Sequence, residues 1–143
     1  MGGIYALERL MADSAKDRRT IIEVLAAYIR SHAQDRPPAG PDSTRLAVDV
    51  ESALTVIARV ELPAGAKVDL RNIDLHNKNL SRTDLGRTDL TQANLRNTNL
   101  RTVNLAGANL RYADLTGADL RGAVGVDPDQ IRRVAEVDAK TRF

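Results

Sequence analysis

Residues 68–122 read VDLRN-IDLHN-KNLSR-TDLGR-TDLTQ-ANLRN-TNLRT-VNLAG-ANLRY-ADLTG-ADLRG, and leucine returns at every fifth position without a miss. The eleven leucines are Leu70, Leu75, Leu80, Leu85, Leu90, Leu95, Leu100, Leu105, Leu110, Leu115 and Leu120, each directly preceded by Asp or Asn. On an α-helix five residues turn about 500°, so each leucine sits roughly 140° around from the last. On a flat strand an odd spacing sends successive leucines to opposite faces. A chain that turns a corner once per repeat can bury all eleven. It winds into a coil whose core is this leucine column.

Two residues before each leucine stand Val68, Ile73, Lys78, Thr83, Thr88, Ala93, Thr98, Val103, Ala108, Ala113 and Ala118. Most are small or apolar, which suits a second inward position in a tightly packed tube. The Asp/Asn column reads as turn chemistry, since short polar side chains bond neighbouring amides and tolerate corners. Lys78 breaks the inward pattern. A buried, unpaired ammonium is costly, so Lys78 is expected to reach outward or to meet Asp74 or Asp69.

This run resembles the pentapeptide-repeat family, whose consensus is A(D/N)LXX, over 55 of the 143 residues. The resemblance implies a mainly β solenoid, a right-handed quadrilateral β-helix with four repeats per coil and about three coils. Such a stack exposes backbone groups at its ends and requires end units. The expected layout is an N-terminal helical segment and linker over 1–67, the β-helix over 68–122, and a C-terminal cap helix and tail over 123–143.

Outside the repeats the grammar is helical. Ile4, Leu7, Leu10 and Met11, then Ile21, Leu25, Tyr28 and Ile29, recur at helical spacing, predicting helices over about 3–13 and 18–32 with Ser14 and Asp17 as candidate N-caps. Pro37, Pro38 and Pro41 mark 33–43 as a linker. A third helix over about 48–60 aligns Val50, Ala53, Leu54 and Ile57, and Pro63 and Gly65 break it. After Leu120, Asp127, Pro128 and Gln130 make a capping-box-like start for a closing helix with Ile131, Val134, Ala135 and Val137 on its apolar stripe. GGIYALERL, TIIEVLAAYIR and ESALTVIARV also resemble a helical segment that precedes the repeats in a bacterial subset of the family, often after membrane-spanning helices. That resemblance suits a piece of a longer protein, although a short natural gene reads the same way.

Composition narrows the function classes. The chain has no Cys, no Trp and one Phe, so its stability rests on stacked aliphatics. No apolar run approaches the ~20 residues of a membrane span. A cytoplasmic location is expected, with the cytoplasmic part of a membrane protein as the variant. His32 and His76 are the only histidines, and no phosphate loop, nucleophile elbow or HExxH occurs. Neither enzyme nor cofactor is expected.

The resemblance also raises DNA mimicry toward bacterial type II topoisomerases, as some family members show. Eleven repeats at four per coil make a rod of about 13 Å, or roughly four base pairs. Residues 68–122 carry six Asp against Lys78 and seven Arg, a net +2 where a phosphate mimic should be negative. If positions twenty apart stack, Arg101 lies beneath Arg121 with Ser81 below and Arg82 beside it, a candidate basic interaction face. Arg71 and Arg111 share another side. The sequence thus favours a non-enzymatic protein-interaction or scaffolding module with an unknown protein partner. Topoisomerase protection and an anion- or nucleic-acid-binding basic face are the alternatives, and nucleic acid is disfavoured by the scarcity of aromatic platforms.

Overall fold

The computed structural model describes residues 3, 6, 9, 13–34 and 44–143. The expected helix over 3–13 falls mostly outside these residues, as does the linker from 35 to 43.

Helix α1 spans Ala15–His32. It begins three residues earlier than the periodicity predicts, because Ser14 caps it: the Asp17 amide donates to Ser14 Oγ at 3.3 Å. Its Ile21, Ile22, Leu25, Ala26 and Ile29 are buried. Helix α2, Val48–Arg59, buries Val50, Ala53, Leu54, Val56 and Ile57 and packs on α1. Tyr28 ties the pair together. Its hydroxyl donates to Asp49 and its ring stacks on His32, centroids 4.2 Å apart. Helix α2 ends before Pro63 is reached, with Val60 already extended. Neither helix is long and apolar enough to cross a membrane.

The repeats then wind into a four-sided coil. Strand β1, Val68–Asp69, pairs in parallel with β2, Thr88–Asp89. Every other side is held by single-residue parallel bridges twenty residues apart, such as Asp74↔Asn94, Asn99↔Asp119 and Asn104↔Val124. A separation of twenty means four repeats per turn. The sides are thus shorter than ordinary strands, because a corner consumes the rest of each repeat. Each bridge carries two bonds: Leu95 N donates to Asp114 O at 2.8 Å, and Asp114 N to Ala93 O at 2.9 Å.

Two devices make the corner. In all eleven repeats the Asp or Asn Oδ1 accepts the amide two residues on, from Gly86 N–Asp84 at 2.8 Å to Arg96 N–Asn94 at 3.4 Å. The second residue after every leucine takes a positive φ, between 52° at Asn97 and 72° at Gly117 and Gly122, as a type II turn demands at that place. The next repeat's first amide returns to the leucine carbonyl, for example Ala93 N to Leu90 O at 3.0 Å. At the corner after Gly86–Arg87 the Thr88 hydroxyl makes this contact at 2.7 Å.

All eleven leucines are buried, none more than 5% exposed. Lys78 shares the interior at 5% exposure, so it does not reach outward. It does not meet the expected carboxylates either. Asp69 is engaged by Arg71 and Arg30, and Asp74 by His76, so both anions already have nearer cations. The aliphatic stem of Lys78 occupies the place that Ile73 or Val103 fills elsewhere.

Beyond Leu120 the coil does not stop. Val124 pairs with Asn104. Helix α3, Pro128–Val134, starts at Asp127, whose side chain accepts from Asp129 N and Gln130 N, and it buries Ile131. The chain then rejoins the stack: Glu136 pairs with Asp114, and Arg142 with Asp119. Leu115 N donates to Glu136 O at 2.8 Å and Leu120 N to Arg142 O at 2.7 Å. Residues 135–137 and 141–143, Ala-Glu-Val and Thr-Arg-Phe, thus stand where Ala-Asp-Leu stood one coil earlier. Val137 and Phe143 pack on the core.

Candidate interaction face

The ladder assigns every outward residue to one of four sides. The third side carries repeats 78–82, 98–102 and 118–122, with Arg142 above Asp119. Its outward charges are Arg82, Arg101, Arg121 and Arg142, all exposed, against Asp119 alone. Four arginines against one aspartate leave this side at +3. Arg121 grips Asp119 with a two-point fork, Nε to Oδ1 at 2.8 Å and Nη2 to Oδ2 at 2.6 Å. That fork, helped by the Arg121 amide and the nearby charge of Arg101, holds the Asp119 carboxyl at about 2. Arg82, Arg101 and Arg142 form no ion pair among the described residues.

The neighbouring second side has the opposite character. Asp74, Asp114 and Glu136 stack along its ladder, and Asp138 lies beside Val137. Arg96 is its one arginine, 3.4 Å from Asp114, and His76 Nδ1 sits 2.6 Å from Asp74. Four carboxylates against Arg96 and the exposed Lys140 of the Asp138 turn leave this side at −2 with His76 neutral. Asp138 accepts from the Gly117, Lys140 and Thr141 amides, which lower its pKa. On the first side Arg71 forks onto Asp69 at 2.9 and 3.0 Å, and Arg111 lies over the Tyr112 ring, 5.7 Å from its centroid.

The register brings Arg101 and Arg121 into one column with Ser81 below. Arg82 sits at the corner beside them, at φ 63°. Sequence reading did not anticipate Arg142, which extends the basic side by one layer. Its signal was present in the small-x-apolar spacing of Ala135-Glu136-Val137 and Thr141-Arg142-Phe143, but the Asp/Asn marker was gone. Elsewhere, a groove of about 840 Å³ runs between α1 and the approach to β1, walled by Ile22, Ala26, Leu62, Arg30 and Asp69. Two of its charges, Arg30 and Asp69, are spent on each other at 3.5 Å. Among the described residues no group of His, Asp and Glu converges as metal ligands do.

The model for pentapeptide repeats matches eight copies across residues 66–101 and 83–122. The chain is 30% identical to the pentapeptide repeat protein Rfr23 from the cyanobacterium Cyanothece 51142, over 56% of this chain and 67% of that one, with a TM-score of 0.38. It is 32% identical to alr5209, a pentapeptide repeat protein from Nostoc Pcc 7120, over 56% of this chain and 76% of that one, with a TM-score of 0.22. This chain belongs to the pentapeptide-repeat family. No curated protein matches it. As a pentapeptide-repeat protein it is a right-handed quadrilateral β-helix, and its repeats form a structural module. In that frame the Asp/Asn column and the positive-φ corners belong to the fold. The arginines of the third side do not.

Proposed function

We propose that this pentapeptide-repeat chain is a non-enzymatic protein-interaction or scaffolding module, closed at both ends by its flanking segments. The observation that supports this most is the ladder. Backbone bonds fix every outward column at one register, so side chains are displayed with little ordering cost on binding.

The end-closing role has its own support. At the first coil Arg30 donates to the Asp69 carbonyl and Gln34 Nε2 to the Asp74 carbonyl at 2.9 Å. Thr44 O accepts from Asn79 N at 2.7 Å. Three sides of the open edge are thus engaged by the N-terminal segment, as an unpaired edge requires. At the other end Ile131 of α3 is buried beside Leu105 and Leu110. A division at 1–67, 68–122 and 123–143 fits this reading, with residues 135–143 serving as a last partial coil.

The test is affinity capture from bacterial lysate, comparing the native chain with Leu95→Lys, whose buried charge disrupts the coil. A partner retained by the native chain and lost by the variant supports the module. A chain that retains nothing, or a variant that retains the same proteins, contradicts it. Protection of gyrase supercoiling from a quinolone would favour topoisomerase mimicry instead. Four ladder positions on the second side give about 14 Å of rod. That remains short for a duplex mimic.

A further inference from the structure

The fold does not require the two adjacent sides to differ in charge. The corner needs only an acceptor oxygen: Asn79 and Asn99 receive the second amide at 3.1 and 3.2 Å, as Asp89 does at 3.1 Å. Stacked carboxylates repel, and in two columns an Asn one coil on relieves an Asp, although Asp69 still stacks on Asp89 and Asp114 on Glu136. Asn104 donates to Asp84 at 2.9 Å and Asn109 to Asp89 at 3.2 Å. That constraint is absent at position 79, whose ladder partner is Asn99. The third side nevertheless carries Asn79 and Asn99, and its single carboxylate is the one Arg121 neutralises. Lys78, buried in the same side, adds a further cation behind it.

We propose that the third side docks a carboxylate-rich polypeptide segment of a partner protein, through Arg82, Arg101 and Arg142, with Asp119 as an internal competitor for Arg121. This rests on the interaction-module reading above. The Arg121–Asp119 fork shows the recognition in miniature, since guanidinium and carboxylate match in two parallel bonds. Arg101 and Arg121 stand one coil apart, ~4.8 Å, about 2 Å less than the ~6.8 Å between same-face side chains of an extended peptide, a gap within reach of long arginine side chains. Nucleic acid fits the surface less well. The aromatic ring on this side, Phe143, packs against the core beneath the Arg132 guanidinium, 4.7 Å from its centroid. It is taken up there rather than offered for base stacking, and the short rod meets few phosphates.

The experiment titrates the full chain with a labelled oligo-glutamate peptide, a duplex DNA and phosphatidylserine vesicles, each at low and raised salt. The peptide is expected to bind, to weaken with salt, and to lose roughly tenfold affinity with Arg82→Asn plus Arg101→Ser. Asp119→Asn keeps the turn acceptor and frees Arg121, so it is expected to tighten peptide binding a few-fold. Arg71→Ser on the first side is expected to leave binding unchanged. The proposal is overturned by absent peptide binding, by indifference to the third-side substitutions, by weaker binding in Asp119→Asn, or by tighter binding to duplex or vesicles. If captured partners are retained by the Arg82/Arg101 variant, the third side fails while the module stands. If the native chain captures none, the module reading itself fails.

Discussion

Thr102 is β-branched yet sits at φ 54° on a corner where Gly117 and Gly122 take 72° without a Cβ. Positive φ is costly for branched residues and cheap for Gly or Asn. Thr102→Asn is therefore expected to raise stability by about 0.5–1 kcal/mol, read as a higher denaturant midpoint. The converse change is harsher. A Cβ at Gly117 would collide with Asn97 Oδ1 as well as strain its φ, so Gly117→Ala is expected to cost at least about 1–2 kcal/mol. Charge follows the same local logic. Hydrogen bonds from Arg71 and Arg121 hold Asp69 and Asp119 at about 2, below the ordinary 3.8. A carboxyl depressed in the folded state stabilises it above the unfolded pKa, and that contribution disappears as pH falls through the folded value. Thermal midpoints should thus drop between about pH 4 and pH 2, less steeply in Asp119→Asn. Salt should blunt the effect, because both pairs are partly solvated.

The repeated element was legible in the sequence because a pitch of five fits neither helix nor strand. The corner was only half legible. The Asx acceptor could be read from the Asp/Asn column, but the positive φ could not, since Arg82, Arg87, Gln92 and Tyr112 carry no hint of it. Helix α1 was anticipated from Ile21, Leu25 and Ile29, while its start waited on the choice between Ser14 and Asp17. The return of the chain to the stack at 135–143 escaped notice for a physical reason. Helix α3 replaces one side, so the bridges Asp114↔Glu136 and Asp119↔Arg142 are 22 and 23 residues apart, and the period is broken. Asp127 caps that helix through two amides at 2.9 and 3.4 Å. Asp127→Ala is expected to cost about 1 kcal/mol. Hydrogen exchange should then quicken at Ile131 and Ala135, whose amides bond within this turn, while Leu95 stays protected.

For the whole molecule, the interior is one continuous apolar column from Ile21 to Ile131, with coil and flanking helices sharing it. Leu95 lies near its middle and is fully buried. Leu95→Ala is expected to cost about 2–5 kcal/mol in a single cooperative unfolding transition. The exterior divides instead into sides of opposite charge, a property of the folded ladder that no linear window reveals. Net charge of +2 for the chain hides −2 beside +3.

The central claim is that residues twenty apart are stacked neighbours around a leucine-filled square coil. Proton NMR tests this directly through backbone contacts between partners such as Asn79 and Asn99 or Asn94 and Asp114. Strong Hα–HN contacts at these separations, continuing to Glu136 and Arg142 at 22 and 23, are the predicted result. Helical contacts three and four residues apart along 68–122, or no contacts at a separation of twenty, would contradict it.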